Sequence, residues 1–193
     1  MSLYTASSQT VGPYVAIGFK PMEIRDIAPL GVAGERISVS GRVFDGDHKP
    51  ITDGVVETWQ ADGEGRYHST EGAAGANGSS AANRFRGFGR ILTDGKDGSF
   101  RFTTIKPGRV ASPAGGKQAP HIVVTVFMRG LLKHLQTRLY FPDDPANAQD
   151  LVLSQVPESR RGTLIARREA DGGASYLWDI VVQGQDETVF FDY

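Results

Sequence analysis

Cysteine is absent from the 193 residues, which removes disulfides, zinc–thiolate sites, iron–sulfur clusters and thiol nucleophiles together. Any metal ligand must come from His, Tyr, Asp or Glu. Neither sign of charge dominates: 21 Lys and Arg face 22 Asp and Glu, a formal charge of -1, so no basic field exists to hold nucleic-acid phosphates. Long apolar runs are missing too. The longest, Ile122 to Met128, includes Thr125 and falls far short of the ~20 residues that cross a bilayer. Met1 to Phe19 has no basic stretch ahead of an apolar core and is broken by Gly12, Pro13 and Gly18, unlike a secretory signal. A soluble, cytoplasmic protein with no nucleic-acid or membrane partner is expected.

What is abundant is turn chemistry. Twenty-four glycines and 10 prolines accompany 39% hydrophobic residues, a composition suited to a β-rich globular domain. Residues 1–35 lack periodicity and read as an arm, with the domain at 36–193. From Arg36 the pattern alternates, with Ile37, Val39, Gly41 and Val43 on one face and Ser38, Ser40 and Arg42 on the other. Further strands are expected at Val55–Gln60, Gly89–Thr93, Phe100–Thr104, His121–Phe127, Thr137–Phe141, Ser175–Gln183 and Thr188–Phe191. Glu71 to Asn83, rich in Gly, Ala and Ser, reads as a mobile loop. Pro157 suits the first turn of one helix over Glu158–Glu169, with Leu164 and Ile165 on one side. Short strands at intervals of roughly ten residues predict an antiparallel β-sandwich or barrel.

Few residues suggest chemistry locally. No two of His48, His68, His121 and His134 stand at metal-ligand spacing on a helix or strand. His121 shares its strand face with Val123 and reads as a hydrogen-bonded structural histidine; His48 and His68 read as solvated. Asp45-Gly46-Asp47 and Asp94-Gly95-Lys96-Asp97-Gly98 read as turns, because neither carries the twelve-residue ligand series of a calcium loop. No nucleophile elbow, phosphate loop or dinucleotide fingerprint is present. Trp59 and Tyr67 read as core or pocket aromatics, and Arg129 as a loop cation. These residues alone favour a non-catalytic β-sandwich binding or interaction module.

A set of longer motifs changes that reading. Ser8-Gln9-Thr10-Val11-Gly12-Pro13-Tyr14, Gly41-Arg42-Val43-Phe44-Asp45-Gly46, Val56-Glu57-Thr58-Trp59-Gln60-Ala61-Asp62, Gly65-Arg66-Tyr67, Lys106-Pro107-Gly108, Ala119-Pro120-His121-Ile122, Thr137-Arg138-Leu139-Tyr140-Phe141 and the ending Gly184 to Phe191 span nearly the whole chain. In these it resembles the intradiol ring-cleavage dioxygenases. The resemblance implies a β-sandwich enzyme of aromatic catabolism that opens protocatechuate between its hydroxyls with O₂, giving 3-carboxy-cis,cis-muconate. It also implies a non-haem Fe(III) cofactor held by two tyrosinates and two histidines, a hard cation matched to anionic oxygen.

Only half of that ligand set is kept. Tyr67 and His121 fall at one tyrosine and one histidine position; Val123 stands at the second histidine and Val110 at the second tyrosine. Gln118 stands where the family's catalytic chain has an arginine. The resemblance therefore implies a chain with a degenerate site and no metal of its own, partnered by a homologous beta chain that binds the iron, in a larger alpha/beta oligomer. Thr10, Gly12, Pro13 and Tyr14 resemble an arm that lines the partner's substrate pocket, and Arg129 resembles an arginine that reaches the same pocket. Plain interface packing is the alternative for these residues. For the chain as a whole the alternative is the non-catalytic β-sandwich binding module, and a third reading is a self-sufficient iron enzyme drawing on Tyr67, His121 and donors such as His134 or Tyr140.

Overall fold

The computed structural model of the protein describes residues 6–68, 85–170 and 173–192. The segment Glu71 to Asn83, read above as a mobile loop, lies outside them. Alternating apolar residues form two packed sheets. In the first, β2 (Val55–Trp59) lies between β3 (Phe88–Leu92) and β5 (His121–Phe127), and β6 (Leu135–Tyr140) completes the order β3-β2-β5-β6, antiparallel throughout. In the second, β1 (Arg36–Phe44) pairs antiparallel with β4 (Ser99–Ile105). Its other edge pairs in parallel with β8 (Ser175–Leu177) and β9 (Ile180–Val181), and β7 (Arg167–Arg168) lies beyond β8. The antiparallel sandwich is thus present, with the second sheet mixed.

The inner faces follow the period of two. Val39, Val43, Phe100 and Phe102 face Val56, Ile91, Ile122, Val124 and Leu139, all nearly inaccessible. Each such side chain contributes about 1.5–3 kcal/mol on burial. Phe141 meets Tyr176 edge-on at 5.1 Å across the layers. At Gly41 any Cβ would lie 1.8 Å from the Trp178 carbonyl oxygen, so only glycine lets β1 pass beneath the β8–β9 connection.

Part of the segment read as an arm belongs to the sandwich. Ile24 exchanges two backbone hydrogen bonds with Arg90 on β3 (2.8 and 3.1 Å), and Ile27 N–H donates to Thr103 on β4 (2.9 Å). Residues 24–27 thereby join edge strands of the two sheets, and Ile27 and Ala28 are buried. Upstream, the short helix α1 (Tyr14–Phe19) is held by Phe19, on whose ring the Arg90 guanidinium lies at 4.3 Å. Asp94 to Gly98 is a turn as expected, but it carries the chain from one sheet to the other.

Four further expectations need correction. The helix expected over Glu158–Glu169 runs only from Glu158 to Arg161 (α3), followed by a 3₁₀ turn at Gly162–Leu164. Ile165 then lies beside Tyr140 in a parallel bridge and Ala166 N–H donates to the Tyr140 carbonyl (3.0 Å), because the edge of β6 offers backbone partners there. α3 is not alone: α1 and α2 (Leu151–Gln155) are helical as well, α2 being capped by Asp150. The strand expected over Ser175–Gln183 is split at Trp178 and Asp179, and Thr188–Phe191 takes no regular strand form, though Phe191 N–H donates to Gln136 (2.8 Å). Among the described residues no helix is long and apolar enough to cross a membrane.

Candidate functional site

The outward face of the first sheet gathers the residues singled out at the ligand positions. Strand register sets Trp59 beside Val123, Val123 beside Arg138, and His121 beside Tyr140. Tyr67 lies flat on Trp59, centroids 6.1 Å apart with 3° between the planes, and is partly exposed. Its loop is built around Asp62, whose Oδ1 accepts from the Glu64 and Arg66 N–H groups at 2.9 Å. Gly65, at φ +82°, presses on the next loop so closely that a Cβ would lie 2.1 Å from the Arg109 carbonyl oxygen. That contact brings Val110 in, and Val110 accepts a backbone bond from Gln118 (2.8 Å). Gln118 Oε1 in turn accepts from Arg138 Nη1 at 2.7 Å. Tyr67, Val110, Gln118, His121 and Val123 are therefore joined through neighbouring residues of one surface region.

Its donors are few. Tyr67 supplies a phenol and His121 an imidazole; Val110 and Val123 supply hydrocarbon. His121 is 2% exposed, with Nδ1 2.8 Å from the Ala119 carbonyl oxygen. Its pKa is brought down to about 4, first by burial and then by the Arg138 charge, against the opposing pull of the Ala119 carbonyl and Asp150. Tyr140 is no freer: burial raises its pKa and its hydroxyl donates to Asp150 at 3.2 Å. Among the described residues no group of three or more His, Asp or Glu could hold a metal ion. One phenol and one largely enclosed imidazole beside a guanidinium do not match a hard trivalent cation.

Two residues of this site went unrecognised in the sequence. Arg138 lay inside a matching motif without a role, and Asp150 reads as an N-cap only once α2 is known. His68 and His48 are both exposed as expected, and His68 in addition pairs with Asp62 (2.7 Å). His134 lies against Phe127 with the rings tilted by 39°, at the other end of β5 from His121.

That far end holds the second group of residues. Six steps along β5 at ~3.3 Å each put Phe127 about 20 Å from His121. Thr10 of the arm accepts a hydrogen bond from Gly130 N–H at 2.7 Å, fixing the arm to the loop after β5. Arg129, on that loop, is ion-paired through Nε with Asp53, from the turn before β2. Gly12, Pro13 and Tyr14 are exposed, Tyr14 at 81%. Between arm and loop opens a cavity of about 280 Å³ lined by Val11, Phe127, Leu131 and Leu132.

The profile of a family described as Dioxygenase matches residues 26–184. The protocatechuate 3,4-dioxygenase alpha chain of Burkholderia cepacia is 43% identical over 205 aligned positions, covering 99% of this chain and 98% of that one. The chain belongs to the intradiol ring-cleavage dioxygenases. Within the family, the protocatechuate 3,4-dioxygenase beta chain of the same species is 39% identical, covering 80% of this chain and 67% of that one. A solved dioxygenase domain from Streptomyces sp. SirexAA-E superposes with a TM-score of 0.61 at 30% identity, covering 83% and 87% of the two chains. The intradiol fold thus accounts for the whole sandwich, including the stretch from Asp26 that the arm reading had set apart.

Proposed function

We propose that this chain is the non-metallated alpha subunit of a protocatechuate 3,4-dioxygenase and that it works by completing the substrate pocket of a homologous beta chain. The observation that carries the reading is the separation along β5. Thr10 and Arg129 stand together at one end, and Tyr67 and His121 at the other, about 20 Å away. A pocket-lining arm on the side remote from the chain's own ligand positions is of use to a neighbouring chain. Exposure of Gly12, Pro13 and Tyr14 fits the same role, with a proline that fixes φ and a hydroxyl for a polar contact.

In this reading Fe(III) would be held by the beta chain and would supply the Lewis-acidic, redox-active centre for the catechol. Protocatechuate and O₂ combine to 3-carboxy-cis,cis-muconate, both oxygen atoms entering the product. The part of this chain is positional: the arm bounds the pocket, and Arg129 offers its guanidinium to the anionic ring substituent. An interface well above ~1,600 Å² and a cytoplasmic alpha/beta oligomer belong to the same proposal.

The test is reconstitution. This chain purified alone is expected to consume no O₂ with protocatechuate, while its co-expression with the homologous beta chain gives a stable complex that cleaves the ring. Ring cleavage by the lone chain, or full activity of the beta chain without it, would overturn the proposal. The second reading, a β-sandwich binding module, predicts a stable monomer that captures no beta chain.

A further inference from the structure

Arg129 is held in a particular way. The ion pair with Asp53 is made through Nε, one edge of the planar guanidinium. The two terminal nitrogens form the opposite edge, the one that matches a carboxylate in a two-point fork. No other ion pair or hydrogen bond of Arg129 is found among the described residues. The side chain is 61% exposed and the Asp53 carboxyl 24%, so the pair lies open to water and contributes little to stability. What it does is set direction: a long side chain with many rotamers is tethered along its inner edge and presents its outer one.

The loop beneath is fixed from a second side. Gly130, the next residue, is at φ +92° and donates its N–H to Thr10, so the arm holds the backbone while Asp53 holds the guanidinium. Arm, loop and β1–β2 turn thereby converge on one cation. Asp53 is set by its own turn, because Gly54 N–H donates to the buried Thr93 hydroxyl at 2.9 Å.

We infer that Asp53 is a positioning residue that aims Arg129 at the carboxylate of the substrate and so contributes to the preference for carboxylated over unsubstituted catechols. This rests on the reading of Arg129 as part of the partner's pocket. Asp53 touches no reacting atom and acts only through Arg129.

The experiment compares Asp53→Ala, Asp53→Asn and Arg129→Ala in the assembled alpha/beta enzyme, with protocatechuate and with catechol as substrates. For Asp53→Ala, KM for protocatechuate is expected to rise about tenfold, the loss of roughly one well-aimed charged contact, with kcat within twofold. Asp53→Asn, nearly isosteric and still able to accept from Nε, shows a smaller rise. Catechol, which has no carboxylate, keeps its KM in every variant. An unchanged protocatechuate KM in both Asp53 variants, or an equal rise for catechol, overturns the inference. The two levels separate cleanly: if Arg129→Ala itself leaves the protocatechuate KM unchanged, the pocket role of Arg129 fails; if Arg129→Ala raises it and the Asp53 variants do not, only the role of Asp53 fails.

Discussion

Gln118 Oε1 accepts a 2.7 Å hydrogen bond from Arg138 Nη1, which fixes a guanidinium directly across the strand from Val123. The charge of Arg138 also reaches His121 and adds to burial in keeping the imidazole neutral. A histidine whose folded pKa lies near 4, below its ordinary 6.5, binds fewer protons than the unfolded chain between those values. Folding stability therefore falls as pH drops from 6.5 to 4 and is insensitive to this group above that window. The whole effect is about 3 kcal/mol. Histidine NMR titration should place the His121 inflection near 4, and His121→Gln should flatten the loss of stability over that range. A His121 inflection near 6.5 would contradict the account.

Asp62 acts lower on the scale. Burial opposes its ionised form, but bonds from the Arg66 backbone, His68, the Glu64 backbone and the Arg66 side chain together outweigh it and bring the pKa to about 2. The folded form is favoured above 3.8, and that advantage is lost as pH falls through 2. Asp62→Ala should lower stability at pH 7 and leave a smaller further loss between pH 4 and 2, read by urea unfolding at fixed pH.

Asp150 is fully buried and accepts from three backbone groups, Ala119 (2.7 Å), Val152 (3.0 Å) and Leu153 (2.8 Å), besides the Tyr140 hydroxyl. It ties the start of α2 to the residues ahead of β5. Asp150→Ala leaves several buried donors unpaired and should cost about 3 kcal/mol or more. Urea unfolding checks this; a change under about 1 kcal/mol would show that the donors find other partners.

Two glycines make a paired test of the loop contact. Gly65→Ala puts a Cβ 2.1 Å from the Arg109 carbonyl oxygen at a positive φ, whereas Gly95→Ala meets nothing within 4 Å. The first should destabilise by more than about 2 kcal/mol and the second by less than about 1. Equal effects would mean that the two loops are not held against each other.

The sequence was most readable where one face of a strand is buried. Ile37, Val39, Gly41 and Val43 point inward as the alternation requires, since a half-buried strand must segregate its faces. Pairing direction was not readable: nothing in Ser175–Leu177 states that it runs parallel to β1. The helix at Glu158 was overextended because Leu164 and Ile165 suit a helical face, yet the open edge of β6 competes for the backbone at Ile165 and Ala166. Ile24 and Ile27 lie in a stretch without periodicity because two sheet edges, rather than one face, organise it. In the site, Tyr67, Val110, His121 and Val123 are legible by motif resemblance, whereas the Asp53–Arg129 pair joins residues distant in sequence that only the fold brings together.

The central claim, that this chain serves a partner's iron and binds none itself, is tested most directly by metal content and visible absorption. The chain purified alone should be colourless and iron-free, and the complex with its beta chain should carry one iron per pair and the red-brown band of tyrosinate-to-Fe(III) charge transfer. Stoichiometric iron and that same colour in the lone chain would contradict the account.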